Sequence, residues 1–152
     1  LEWIDGAREA VARLTEDGWL LFVATNQSGV ARGYYTESDV QLLHEQMNSS
    51  FRELGGNITK FFYCPHLPGA PVKKYDVVCD CRKPAPGMII RAINEYNLPK
   101  DQVFLFGDSD RDIKAAEAAG IKGFLFDGAN LKDFVYQKLA GLGYRDNCKE
   151  DI

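Results

Sequence analysis

Four short apolar segments alternate along most of the chain with segments of helical periodicity, and this alternation constrains the fold more than any other feature. The apolar segments have strand length and too few polar residues for a strand with one face in water. They are Trp19–Thr25, Ile58–Tyr63, Val103–Gly107 and Phe124–Phe126, and the predicted helices are Gly6–Thr15, Thr36–Leu54, Gly87–Tyr96, Arg111–Ala119 and Leu131–Leu139. The pattern predicts an α/β fold with a parallel sheet and helices on both of its faces.

The length and net charge of the chain limit how many domains it can form and which partners it can bind. With 152 residues we expect one domain, over residues 1–140, followed by a tail at residues 141–152. A net charge of −4 argues against nucleic acid as a partner, because nucleic-acid-binding domains usually carry a basic surplus. No run of eighteen apolar residues is present, so we expect no membrane span.

Three of the four cysteines and one of the two histidines lie within eighteen positions, as Cys64-Pro65-His66 and, after twelve residues, Cys79-Asp80-Cys81. Three thiolates and one imidazole are a donor set for tetrahedral Zn²⁺. Only one residue separates each pair, where two to four are usual, so the loop must turn tightly. The alternatives are disulfides, or buried reduced thiols beside a chance histidine. With all four positions filled by protein, the zinc would be structural.

Cys148 is left over in the polar tail and is interpreted as a free thiol. A free thiol fits a reducing compartment, and we expect a cytoplasmic protein.

Polar side chains follow two of the predicted strands, at the sheet edge where ligands of parallel sheets bind. Thr25 and Asn26 end the first strand, Asp108 and Asp112 follow the third, and Lys83 leaves the cysteine-rich loop. A hydroxyl and an ammonium can hold a phosphoryl group, and two carboxylates can hold or support Mg²⁺. Together they predict a phosphoryl-transfer site. Individually, Thr25 could cap a strand end, Lys83 could be solvated, and the aspartates could cap the next helix.

Two long motifs carry a family resemblance. The first is Thr25-Asn26-Gln27-Ser28-Gly29-Val30-Ala31-Arg32-Gly33, and the second is the cysteine-rich segment continued through Arg82-Lys83-Pro84. With Gly107-Asp108 and Asp112, they resemble the haloacid dehalogenase-like phosphohydrolases. Within these, the motifs are similar to the D-glycero-D-manno-heptose-1,7-bisphosphate phosphatases and the histidinol-phosphate phosphatases. The resemblance covers Trp3 to about Leu139.

The resemblance implies a Rossmann-like core with a small zinc-binding loop and a Mg²⁺-dependent phosphatase that forms an aspartyl-phosphate. The implied catalytic residues are Thr25, Lys83, Asp108 and Asp112, with Asp108 binding Mg²⁺. The implied substrate-binding residues are Asn26, Gln27, Ser28, Arg32 and Arg82, and the implied zinc ligands are Cys64, His66, Cys79 and Cys81. Ser109 departs from the pattern, because relatives often carry a lysine or arginine there.

The first motif of this family, a strand that ends in Asp-x-Asp, should precede Trp3. It supplies the nucleophile and the general acid–base. Asp5 is not a substitute, since no buried strand leads into it, and it is interpreted as a helix N-cap. We therefore expect that about 20–30 residues are missing upstream, that the 152 residues alone do not turn over substrate, and that the neighbours of the central strand keep unpaired edges.

The predicted substrate is a small phosphorylated compound, with a sugar bisphosphate as the first choice, bound by a monomer or weak dimer. The twelve-residue spacer resembles the heptose branch more than the histidinol-phosphate branch. A non-catalytic, zinc-stabilised phosphate-binding module is the alternative outside the enzymes. A receiver domain fits less well, since its phosphorylated aspartate precedes its threonine. A serine hydrolase lacks its Gly-x-Ser-x-Gly motif, and His44 lies mid-helix, where a packed or solvated histidine is expected.

Overall fold

The computed structural model describes residues 3–145. Its four strands are β1 (Phe22–Asn26), β2 (Lys60–Cys64), β3 (Phe104–Gly107) and β4 (Lys122–Leu125). Its five α-helices are α1 (Ala7–Glu16), α2 (Glu37–Glu53), α3 (Gly87–Tyr96), α4 (Asp110–Ala119) and α5 (Leu131–Gly141), with short 3₁₀ turns at Lys73–Tyr75 and Lys100–Gln102. The predicted α/β class, with parallel strands alternating with helices, is confirmed.

The strands of residues 3–145 form two parallel pairs rather than one continuous sheet. Phe22 of β1 is in register with Lys60 of β2, and Phe104 of β3 is in register with Lys122 of β4. Within this described part of the chain, each of the four strands has one edge without a strand partner.

Strands β1, β2 and β3 are shorter than the apolar segments that predicted them, whereas β4 begins before Phe124 and is longer than predicted. β1 begins at Phe22 rather than Trp19, and all five of its residues are only partly buried. Trp19 instead packs its ring edge-on against Phe104 of β3 and against Tyr144, with centroids 6.1 and 5.1 Å away. Its apolar character therefore reflects side-chain packing between the two strand pairs and not strand pairing.

Helix α3 joins the two halves of the core. Ile89 and Ile93 pack with Ala115, Ala116 and Ala119 of α4. Met88 and Ala92, on another side of the same helix, pack with Phe62, Cys64 and Cys81. Cys64 and Cys81 are almost completely buried. The cysteine-rich loop is therefore anchored in the core of the β1–β2 half.

Local signals set most helix ends. Thr36 and Asp39 form the predicted capping box at α2, with reciprocal bonds of 3.1 and 2.9 Å. Gly120 ends α4 in the left-handed conformation, with φ of 79°. The interpretation of Asp5 as an N-cap is wrong, because Gly6 holds that position with φ of 81°. Asp5 instead accepts a backbone hydrogen bond from Leu131.

Beyond α5, Tyr144 packs against Trp19 and Phe104, while Cys148 lies outside the described residues. None of the helices in residues 3–145 combines the length and apolar character needed to cross a bilayer.

Candidate active site and metal centre

The end of β1 is fixed to the chain that leaves the cysteine-rich loop. Asn26, the last residue of β1, accepts a hydrogen bond from the Lys83 backbone N–H through its side-chain oxygen at 2.9 Å. The Asn26 amide nitrogen donates to the Lys83 carbonyl at 3.1 Å. These two bonds place Lys83 beside Thr25 and Asn26, as the sequence predicted from the shared edge of parallel strands.

The Lys83 ammonium connects the two strand pairs. Its Nζ donates to the Ala24 carbonyl of β1 at 2.9 Å and to Asp112 Oδ1 at 2.5 Å. Thr59 N–H bonds to Leu21 O, so alternation along β1 turns the Ala24 carbonyl towards the edge away from β2. The Lys83 and Asp112 side chains are 13% and 9% exposed, so the pair is largely withdrawn from water.

Asp112 has two roles in the structure, one of which is the helix capping that the sequence left open. While Oδ1 pairs with Lys83, Oδ2 accepts from the backbone N–H groups of Asp108 and Ser109 and from the Ser109 hydroxyl, each at 3.2 Å. Asp112 therefore caps α4 and also holds Lys83. Glycine at position 107 allows Asp112 to lie this close to the end of β3, because a Cβ there would lie 2.4 Å from the Cβ of Asp112. Ser109, the departure from the family pattern, contributes to fixing this carboxylate.

The electrostatics of Asp112 favour its charged form. Burial acts to raise its pKa, but the adjacent Lys83 ammonium and the Ser109 donors outweigh burial, so the pKa lies below the ordinary value. The site thus presents an ion pair at the end of β1, with the ammonium oriented by the carboxylate.

Asp108 lines an open cavity of about 460 Å³ at the end of β3. Asp5 and Asp127 also line it. Asp127 is not among the site residues predicted from the sequence, where its only signal is its place directly after the last predicted strand.

The predicted substrate-binding residues of the loop after β1 lie in two different places. Gln27 Nε2 donates to Thr25 Oγ1 at 3.2 Å, so this amide lies against the strand end. Ser28 and Arg32 sit in the following turn, where the Arg32 N–H donates to the Ser28 carbonyl at 3.0 Å, and Arg32 is exposed. In the cysteine-rich segment, Arg82 Nη1 is buried and has no hydrogen-bond partner among residues 3–145.

The four residues of the predicted metal site converge. The donor atoms of Cys64, His66, Cys79 and Cys81 lie within 4.8 Å of one another. Their Sγ–Sγ distances are 2.9 Å (Cys81–Cys64), 3.3 Å (Cys81–Cys79) and 3.5 Å (Cys64–Cys79), and His66 Nδ1 is 3.4 Å from Cys81 Sγ. The three thiols are free, which excludes disulfides among them. Four converging donors of this type suit one tetrahedrally coordinated metal ion.

The thiols differ in acidity. Burial raises the pKa of Cys64 and of Cys81 above that of a free thiol. Burial acts on Cys79 in the same direction, but hydrogen bonds from Cys81 Sγ and from the Arg82 backbone outweigh it and bring the pKa of Cys79 to about 7. A metal ion that binds here must therefore displace protons from the two more buried thiols.

A carboxylate outside the predicted set ties the cysteine-rich loop to α2. Glu37 accepts hydrogen bonds from Tyr63 at 2.9 Å and from Tyr75 at 2.7 Å. Tyr63 precedes Cys64, and Tyr75 lies in the 3₁₀ turn between the two ligand pairs. The bond from Tyr75 lowers the pKa of Glu37; burial opposes this shift and the bond from Tyr63 adds to it.

Glu37→Ala is expected to destabilise the protein by about 1–2 kcal/mol, because two hydroxyl groups lose an ionised acceptor. Urea unfolding measures the difference, and limited proteolysis within residues 67–78 should become faster. Glu45→Ala, an exposed glutamate in the middle of the same helix, is the control. Equal stability of the two variants would contradict the role of Glu37.

His44 is a packed histidine, one of the two alternatives expected for it. It is 6% exposed and stacks on Phe61 with ring centroids 4.4 Å apart. Burial lowers its pKa and favours the neutral ring.

Comparison with known proteins places this site in a family. The HAD-hydrolase-like family matches residues 80–132, which contain Lys83, Asp108 and Asp112. The D-glycero-β-D-manno-heptose-1,7-bisphosphate 7-phosphatase of Rhodopseudomonas palustris is 40% identical over 139 residues, which are 91% of this chain and 77% of the relative. The enzyme of the same name from Yersinia pestis is 37% identical over 150 residues, 93% of this chain and 80% of the relative.

A solved structure gives the same assignment. The D,D-heptose 1,7-bisphosphate phosphatase of B. bronchiseptica, complexed with magnesium and phosphate, matches with a TM-score of 0.72 and 36% identity. The match covers 87% of this chain and 70% of that one. The resemblance noted from the sequence motifs is thereby confirmed. The chain belongs to the D-glycero-β-D-manno-heptose-1,7-bisphosphate 7-phosphatase family of the HAD-like hydrolases.

Proposed function

We propose that this protein hydrolyses a phosphate ester of D-glycero-D-manno-heptose 1,7-bisphosphate or a closely similar sugar phosphate. The observation that carries the proposal is the Lys83 ammonium, which bonds to both Ala24 and Asp112 at the end of β1, the strand that also carries Thr25. A partly buried ammonium at a strand end that also carries a hydroxyl is suited to an anion of tetrahedral shape. The relatives with the same motifs are named as heptose bisphosphate phosphatases.

In this proposal Thr25 and Lys83 hold the phosphoryl group. Thr25 donates from its hydroxyl, and Lys83 neutralises negative charge on the phosphoryl oxygens. Asn26 fixes the Lys83 backbone through its two hydrogen bonds. Asp112 orients the ammonium through their ion pair.

Asp108 is the proposed ligand of Mg²⁺. It lines a cavity together with Asp5 and Asp127, and carboxylate oxygens are ligands that Mg²⁺ prefers. The B. bronchiseptica structure contains magnesium and phosphate. When bound, Mg²⁺ would supply positive charge to the phosphoryl oxygens.

The proposed reaction proceeds through an aspartyl-phosphate. The family resemblance assigns its nucleophile to an Asp-x-Asp motif, so activity is best measured on protein that carries this motif. Thr25, Lys83, Asp108 and Asp112 then serve to hold the group that is transferred.

Zn²⁺ is the proposed occupant of the four-residue site. A tetrahedral site with Zn–S bonds of about 2.3 Å separates sulfur atoms by about 3.8 Å. The separations of 2.9 to 3.5 Å in the structure are shorter than this, so the sulfur atoms would have to move apart to hold the ion. Four protein donors complete the coordination, which favours a structural role.

Arg82 and Arg32 are proposed to contact the sugar or its second phosphate, together with Gln27 and Ser28. The buried Arg82 Nη1 supports this, since a guanidinium nitrogen that lacks a partner within residues 3–145 would gain one from an anionic substrate. Arg32 lies on the exposed turn after β1.

Substrate ranking tests the proposal. We expect kcat/KM for D-glycero-D-manno-heptose 1,7-bisphosphate to exceed that for histidinol phosphate by at least about tenfold, because a second phosphate can pair with an arginine. Phosphate release at several substrate concentrations gives both values. The reverse ranking would assign the protein to the histidinol-phosphate branch, and phosphate binding without turnover would indicate a binding module.

A further inference from the structure

Thr25 is one end of a hydrogen-bonded array that runs through Gln27 to Tyr35, and Tyr35 has no role in the proposed function. Tyr35 donates from its hydroxyl to Gln27 Oε1 at 2.7 Å. The amide nitrogen of Gln27 donates to Thr25 Oγ1 at 3.2 Å. Tyr35 is eight residues beyond Gln27, on the far side of the glycine-bearing turn.

All hydrogen bonds of the array donate in the same direction, from Tyr35 towards Thr25. Because the amide oxygen of Gln27 faces Tyr35, its NH₂ group faces Thr25 and can only donate. Thr25 Oγ1 is therefore an acceptor towards Gln27 and keeps its own proton for another acceptor. The Asn26 carbonyl, at 3.4 Å from Thr25 Oγ1, is beyond the usual range of a strong O–H···O bond. The proton of Thr25 is thus available to an incoming oxygen atom.

The ring of Tyr35 has a defined place although it is 36% exposed. A Cβ at Gly29 would lie 2.3 Å from Tyr35 Cε2, so the ring packs directly on the Gly29 backbone. The neighbouring Tyr34 N–H donates to the Gly29 carbonyl at 2.9 Å. Glycine at position 29 therefore makes room for the ring whose hydroxyl reaches Gln27.

We infer that Tyr35 is a positioning residue that, through Gln27, keeps the Thr25 hydroxyl oriented as a donor to a phosphoryl oxygen. This rests on the proposed function of Thr25. If the Gln27 amide were reversed, Thr25 would donate to Gln27 and would present only lone pairs to the phosphate. The Tyr35 hydroxyl selects against that orientation, because a phenol is a better donor to an amide oxygen than an acceptor from an amide nitrogen.

Tyr35→Phe tests the inference, since it keeps the ring on Gly29 and removes only the hydroxyl. In protein that carries the Asp-x-Asp motif, we expect kcat/KM to fall about fivefold and competitive inhibition by inorganic phosphate to weaken by a similar factor. The unfolding midpoint should stay unchanged. Tyr34→Phe is the matched control, because the adjacent Tyr34 is 75% exposed and should retain both parameters.

Two further variants separate positioning from structure. Gln27→Glu places two acceptor oxygens between the hydroxyls, so Thr25 would donate to the carboxylate, and phosphate inhibition should weaken more than in Tyr35→Phe. In a Thr25→Ala background, Tyr35→Phe should cause no additional loss, because its effect acts through the Thr25 hydroxyl.

The outcomes distinguish the inference from the proposed function. If Thr25→Ala leaves phosphate inhibition unchanged, the proposed phosphate site is wrong. If Thr25→Ala weakens phosphate inhibition but Tyr35→Phe does not, only the role of Tyr35 is overturned. Fully additive losses in the double variant would also overturn it, since Tyr35 would then act independently of Thr25.

Discussion

Lys83→Ala is expected to lower kcat/KM by about 10³-fold or more, because it removes the positive charge closest to the proposed phosphoryl position. The same change leaves the Asp112 carboxylate, 9% exposed, without the ammonium that pairs with it. A buried carboxylate that loses its partner costs roughly 3 kcal/mol of folding free energy. A phosphate-release assay measures the first effect, and urea unfolding measures the second.

Lys60→Ala is the control for the removal of a lysine, because Lys60 pairs with Glu95 at 2.9 Å on the surface, with both side chains 42% exposed. Such an exposed pair contributes little stability, so this variant should keep both activity and fold. If Lys83→Ala does not fold, Lys83→Met keeps the length of the side chain without its charge. Near-normal activity in either folded Lys83 variant would mean that Lys83 does not contact the phosphoryl group.

The second large effect concerns the metal centre. Protein purified without chelators is expected to contain about one zinc per chain, and Cys81→Ser is expected to release it. Cys81 lies within 3.3 Å of both Cys64 and Cys79 and is 4% exposed, so serine there removes a central donor and leaves a buried hydroxyl. Unfolding free energy should fall by about 3 kcal/mol or more. Elemental analysis and chelator-driven zinc release measure the loss of metal.

Cys148→Ser is the matched control for the cysteine change. This fourth cysteine lies outside the described residues, and the proposed zinc already has four donors without it. The control should keep its zinc. Purified wild-type protein without any metal, or Cys81→Ser with a full equivalent of zinc, would contradict the assignment.

Much of the site was predictable, because parallel strands bring their carboxyl ends to one edge. That rule placed Thr25, Lys83 and Asp112 together although 87 residues separate the first from the last. The metal ligands were equally predictable, since three thiols and an imidazole so close together in a sequence are typical of a metal site.

Other features left no signal in the sequence. Glu37 and Tyr35 reach partners that lie on other segments, and which side chains meet there depends on how the loops fold. Trp19 was assigned to a strand because apolar runs do not distinguish strand pairing from packing between elements. The pairing of β1 with β2 and of β3 with β4, without a direct ladder between the pairs in residues 3–145, also depends on tertiary contacts.

The position of Lys83 links activity to the alignment of the molecule's two halves. One of its partners, Ala24, belongs to the β1–β2 half, and the other, Asp112, belongs to the helix that follows β3. A shear of about 1 Å between the halves would break one of these bonds, because a hydrogen bond tolerates little lengthening. Apolar substitutions in α3, which packs against both halves, can therefore impair turnover without altering any polar group. Inactive variants selected at random should accordingly include changes at Met88 or Ile93. These side chains are apolar and take no part in the chemistry, but their packing keeps the two halves, and therefore Lys83, in place.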